Sequence, residues 1–122
     1  MLKCLTIAQI HAIIEQAEKL NLKHPPSDIG IRAGSDEAKD RVLQYETDGK
    51  PLKREIGRLD HDARMELMAL VWVGRGDGDF ESCLEHARQN TDEGDVPYIA
   101  EKAMSLPTYL RNGLKKIGAE AT

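Results

Sequence analysis

Leu67-Met68-Ala69-Leu70-Val71-Trp72-Val73 is an unbroken apolar run, and Gly74-Arg75-Gly76-Asp77-Gly78-Asp79 follows it directly. In a chain with 31% charged residues no other stretch is so continuously apolar. Such a run is buried on every side, and the glycine-aspartate string after it has to turn sharply into solvent. Its apolar positions divide over two faces of a helix, with Ala63, Leu67, Leu70 and Val71 on one and Met65, Met68, Ala69 and Trp72 on the other. A helix apolar on both faces is one that other helices pack around. Asp60 is placed to cap it at the N-terminus. Gly74 is expected at its C-terminal end in the left-handed conformation, which glycine adopts without side-chain cost.

The flanking sequence reads as helices in turn. Thr6 followed by Gln9 makes a capping box ahead of Ile7, Ile10, Ile13, Ile14, Ala17 and Leu20, whose spacing of three and four is helical. That helix is expected from about Thr6 to Leu22, stopped by His24-Pro25-Pro26. Residues 23–34, with two prolines and two glycines, form a long connection. Ser35, with Asp36 and Glu37 behind it, starts a second helix carrying Ala38, Val42 and Tyr45, broken at Asp48-Gly49-Lys50-Pro51. Leu52, Ile56 and Leu59 suggest a short helix.

Beyond the central helix, Asp79 caps a segment with Phe80, Cys83, Leu84 and Ala87 on one stripe. Pro97 opens another through Ile99, Ala103 and Met104. Tyr109, Leu110, Leu114 and Ile117 line the last helix, which Gly118 ends. Strict apolar-polar alternation occurs nowhere. The expectation is an all-α bundle of about six helices around residues 60–73, in a single domain spanning 1–122 with a flexible tail at 118–122. A chain of 122 residues buries roughly two-thirds of its unfolded surface. Aromatic residues make up only 4% of it, so Leu, Ile, Val, Ala and Met must fill the core.

Charge and cysteine content narrow the function classes. The net charge is −4. Residues 67–105 carry Arg75, Arg88 and Lys102 against eight acids, whereas 106–122 carry Arg111, Lys115 and Lys116 against Glu120. An acidic centre is a poor surface for phosphate backbones, which argues against nucleic acid. Cys4 and Cys83 are too few for a disulfide framework, and each lies on an apolar face as a small buried thiol in a reducing cytoplasm. The apolar run falls far short of the ~20 residues that span a bilayer, so no membrane association is expected.

Candidate chemistry is sparse. Gly74 to Asp79 leads into a helix N-terminus, yet it lacks the lysine of a phosphate-binding loop and carries two acids that repel phosphate. Asp77, Asp79 and Glu81 alternate like the first ligands of a calcium loop, but Ser82 and Arg88 stand where glycine and glutamate are needed. His11, His24, His61 and His86 share no metal-ligand spacing, and no serine or cysteine sits in a nucleophile context. No catalytic residue, metal or cofactor is assigned. What remains is Trp72, read either as a core anchor or as a stacking residue at an interface, with Arg75, Asp77 and Asp79 beside it as candidate binding residues.

The run Met65 to Asp77, then Phe80-Glu81 and Ala87-Arg88, resembles a family of small proteobacterial proteins without an established activity, whose signature is Leu-Val-Trp-Val-Gly-Arg-Gly-Asp. Tyr98-Ile99 and Leu106-Pro107-x-Tyr109-Leu110-x-x-Gly113-Leu114 are similar to that family's ending. The resemblance covers residues 60–115 well and the N-terminal third loosely. It implies a fold family and a bacterial source, and carries over no site residues.

Three functions follow. The first is a non-enzymatic interaction or regulatory module, as a homodimer or with another protein, suggested by the second apolar face of Met65, Met68, Trp72 and Val73. Another is a small-ligand protein or enzyme with a pocket at Trp72, Arg75 and Asp77. The last is a DNA-binding regulator, disfavoured by a long, acidic turn at 74–78. A concave pocket at Trp72 and Arg75 favours the second, and a flat apolar patch the first.

Overall fold

A computed structural model describes residues 2–23, 43–44, 46–90, 96–100 and 102–118. Among them are six helices and no strand: α1 Ile7–Lys23, α2 Lys50–Gly57, α3 His61–Arg75, α4 Phe80–Gln89, α5 Val96–Ala100 and α6 Leu106–Lys116. The connection expected at 23–34 lies, from residue 24 on, outside the described residues. So do the start of the helix expected from Ser35 and the tail expected beyond Gly118.

Local sequence accounts for the helix starts. The Thr6 N–H donates to Gln9 Oε1 at 2.8 Å and the Gln9 N–H to Thr6 Oγ1 at 3.1 Å, so the capping box forms in both directions. Asp60 Oδ1 accepts from the Ala63 N–H at 2.8 Å, and Asp79 Oδ1 from the Ser82 N–H at 2.7 Å. Both aspartates are extended, as the residue before a helix should be. Pro51 and Pro107 lie in the first turns of α2 and α6, where the missing N–H costs nothing. Gly49 is right-handed and leads straight into α2, so the expected break there is a single turn residue.

Helix α3 is the centre. It packs on α6 and α4, while α1 packs on α2 and α6, and α2 on α5. Every residue from Met65 to Gly74 is buried. That includes Met65, Met68, Trp72 and Val73, all covered within one chain. The surplus apolar face that suggested a homodimer is therefore absent. Met104, expected on the buried stripe with Ile99 and Ala103, is exposed instead.

Gly74 does not end α3. The helix runs on to Arg75, and Gly76, at φ 99°, takes the left-handed position. The Gly76 N–H donates to Val73 O at 3.1 Å and the Asp77 N–H to Trp72 O at 3.0 Å, the paired bonds of a Schellman motif. Gly74 has a different reason to be glycine: a Cβ there would lie 1.7 Å from the Tyr109 carbonyl oxygen of α6. Across the same contact, a Cβ on Gly113 would lie 2.5 Å from Leu70 O. Leu70 thus faces Gly113 and Gly74 faces Tyr109, so the two helices run antiparallel with a glycine from each letting the backbones touch.

One buried group went unseen in the sequence. Glu66 is 2% exposed in the middle of α3. Its Oε1 accepts from the N–H groups of Lys3, Cys4 and Leu5 at 3.0–3.1 Å, and Oε2 from Lys3 and Cys4 at 3.2 Å. A carboxylate can be buried only with such partners. It pins the segment before α1 to the central helix. Cys4 itself is exposed, contrary to the expectation of a buried thiol, because this segment turns its backbone rather than its side chains toward Glu66.

Candidate cleft beside Trp72

Where α3 ends and α4 begins, the chain encloses a cleft of about 440 Å³, lined by Trp72, Arg75, Asp77, Ser82, Cys83, His86 and Tyr98. Its size falls within the roughly 300–1,000 Å³ typical of small-ligand sites. Helix α3 supplies Trp72 and Arg75 from its last turn. The Schellman motif turns the chain so that Asp77 comes back beside Arg75, and Gly78, at φ 148°, completes the turn into the Asp79 cap. Ser82, Cys83 and His86 share one face of α4, and Tyr98 arrives from α5.

The indole of Trp72 packs against the His86 ring edge-on, with centroids 4.9 Å apart and planes at 63°. Trp72 is 4% exposed, so it forms the inner wall rather than a protruding anchor. Arg75 Nε donates to Asp77 Oδ2 at 2.6 Å, and its Nη2 contacts the same oxygen. That hydrogen bond holds Arg75 above the ordinary guanidinium range. Both side chains are about two-fifths exposed, which leaves the pair open to the cleft. The Asn90 amide lies 3.3 Å from His86 Nδ1 and also donates to the His86 carbonyl. Lys116 Nζ donates to Val73 O at 3.0 Å, placing a cation at the C-terminal end of α3. Lys102 Nζ sits 4.4 Å from the centre of the Tyr98 ring.

Cys83 is the residue of the cleft best suited to nucleophilic chemistry, and its environment works against it. Burial pushes its thiol up, the charges of Asp77 and Asp79 push the same way, and only Arg75 opposes them. The thiol is therefore protonated at neutral pH. Cys4 is likewise raised, by desolvation first and then by Glu66. No group of three or more His, Cys, Asp or Glu among the described residues is arranged to hold a metal ion.

Of the residues singled out in the sequence, Trp72, Arg75 and Asp77 come together in the cleft. Asp79 does not line it, because its carboxylate is turned onto Ser82, whose backbone N–H and then hydroxyl hold it below its ordinary value of 3.8. The sequence reading missed Ser82, Cys83, His86 and Tyr98. The spacing of Ser82, Cys83 and His86 on one helix face was visible, but their juxtaposition with Trp72 depends on how α4 folds back on α3. The connection between those helices is residues 76–79, shorter than expected, so turn length is no objection to a helix-turn-helix. The acidity is. Glu81 and Glu85 are exposed on α4, the helix that would face a groove.

The sequence model of the DUF3775 family, described as a protein of unknown function, matches residues 50–119. The chain therefore belongs to that family, an all-α one in this member, with α2 through α6 inside the match. No curated protein and no solved structure matches the chain. The match starts after α1, so residues 1–49 fall outside it. Within it lie Gly74, Gly76, Gly113 and every cleft residue named above. Among the described residues no helix is long and apolar enough to cross a membrane.

Proposed function

We propose that this protein is a non-enzymatic binding module whose ligand, a small molecule or a single side-chain-sized group, occupies the cleft beside Trp72. The observation that carries this reading is the shape. Trp72 and Arg75 line a concave site of ligand size and not a flat apolar patch. Arg75, Asp77, Ser82 and His86 converge polar groups on it, beside apolar wall from Trp72, Cys83 and Tyr98, so its ligand must itself be partly polar.

A fragment series followed by two-dimensional amide NMR tests this. Ligands are expected to shift Trp72 Nε1–H and the amides of residues 75–77, 82–86 and 98. Shifts scattered over the surface, or none at millimolar concentrations, would refute the reading. A cleft-filling Ser82→Trp variant should lose the response while keeping its far-UV circular dichroism, since the Ser82 backbone N–H that caps α4 is retained.

A further inference from the structure

Resting on that reading of the cleft, we infer that its ligand is a carboxylate carried on a flat aromatic or apolar body, bound by the end of the Arg75 guanidinium, with Asp77 as the residue that positions it. A guanidinium is a planar fork of five N–H donors with two usable edges. Asp77 Oδ2 takes the side edge, accepting from Nε and touching Nη2. The end edge, Nη1 with Nη2, has no other hydrogen bond among the described residues, and the side chain is 42% exposed where it lines the cleft. That edge matches a carboxylate in the bidentate geometry arginine favours.

The direction of the fork follows from the backbone. Asp77 is held by its own N–H on Trp72 O and by the left-handed Gly76, so the fork it grips is aimed rather than swinging. Lys116 Nζ lies at the same corner, 4.0 Å from where a Cβ on Gly76 would be. Asp77 and Asp79 both bring negative charge to the cleft, so what fits a carboxylate there is the open end of the aimed fork and not a surplus of positive charge. Trp72 and Tyr98 give the apolar walls for a flat body.

The test compares 3-phenylpropionate with its neutral amide by NMR titration, read at Trp72 Nε1–H and Arg75 Nε–H. The acid should bind about tenfold more tightly, or about 1.4 kcal/mol. Arg75→Lys, which keeps the charge but not the fork, should lose most of that preference, and Arg75→Gln all of it. Asp77→Asn should weaken the acid and not the amide, with partial recovery in Asp77→Glu, a pattern that general loss of structure does not produce. A tetrapeptide ending in Phe, with a free or an amidated C-terminus, tells a peptide terminus from a free acid as the source. Equal affinity for acid and amide overturns the carboxylate assignment and leaves the cleft standing as a site. No shift with the acid also overturns it, while the fragment series decides the cleft independently. Unchanged acid binding in Asp77→Asn removes the positioning role.

Discussion

Replacing Gly74 by alanine should destabilise the protein, although alanine is favoured over glycine inside a helix by about 1 kcal/mol. The new Cβ would stand 1.7 Å from Tyr109 O, 2.6 Å from its carbonyl carbon and 2.9 Å from its Cα. Ordinary contact begins at 3.4 Å, and the obstacle is backbone rather than the end of a flexible side chain. Helix α6 must therefore retreat from α3 by roughly 1.7 Å at this level, the shortfall between those two distances. A gap of only about 0.5–1 Å already forfeits a quarter to a half of the dispersion attraction across it. The interface being opened holds Leu70, Leu106, Leu110 and Leu114, each 0–1% exposed. Overpacking alone costs about 1–3 kcal/mol, and with the lost contacts the net effect should be about 2–4 kcal/mol after the propensity gain. Urea unfolding followed by far-UV circular dichroism measures it, and the midpoint temperature should fall by on the order of 10 °C. Gly57→Ala is the control. Nothing lies within 4 Å of its Cβ position, so that variant should be unchanged or stabilised by up to ~1 kcal/mol. If Gly74→Ala is as stable as the parent, the close approach of α3 and α6 is wrong.

Other consequences can be checked on the same protein. Leu70→Ala should cost about 2–5 kcal/mol as a cavity in a fully buried site, and a loss below ~0.5 kcal/mol in the urea midpoint would make α3 peripheral. Glu66→Ala leaves the Leu5 N–H buried without a partner, while those of Lys3 and Cys4 can turn to water. A loss of about 2–3 kcal/mol is expected, with faster hydrogen exchange at residues 3–5, and unchanged exchange there would show the anchor is not formed. Asp79 has its pKa lowered in the folded state by the Ser82 backbone N–H, so the stability it adds is present above pH 3.8 and is lost as pH falls through its depressed folded value. Asp79→Asn should therefore flatten the stability profile in that acid range and leave its slope near neutrality unchanged. A profile identical to the parent's below pH 4 would refute the cap's contribution.

Much of the architecture was legible because it is local. The Thr6–Gln9 box, the Asp60 and Asp79 caps and the apolar stripes each depend on residues within one or two turns of one another. Gly74 shows where that reasoning fails. From the sequence Gly74 is the expected left-handed residue, but it stays helical against Tyr109 of α6 and Gly76 takes that position. The same holds for Gly113, whose partner Leu70 lies on α3. Glu66 was hidden because a single charge in an apolar run looks like a solvent-facing position, and its three N–H partners come from the other end of the chain. In the cleft, Trp72, Arg75 and Asp77 were readable as neighbours in sequence. His86 and Tyr98 were not, since each is brought there by the packing of another helix. The resemblance carried by Leu-Val-Trp-Val-Gly-Arg-Gly-Asp acquires a physical content: Gly74 serves the helix contact, Gly76 the turn, and Trp72, Arg75 and Asp77 the cleft.

The most direct test of ligand binding at the Trp72 cleft is to equilibrate the purified protein with a small-molecule extract and identify what co-elutes by mass spectrometry. The parent chain and Ser82→Trp are compared side by side, with Arg75→Gln as a third arm. One compound or a narrow chemical class should be retained by the parent, lost from Ser82→Trp and reduced in Arg75→Gln. Identical small-molecule profiles for the parent and the two variants would contradict the claim.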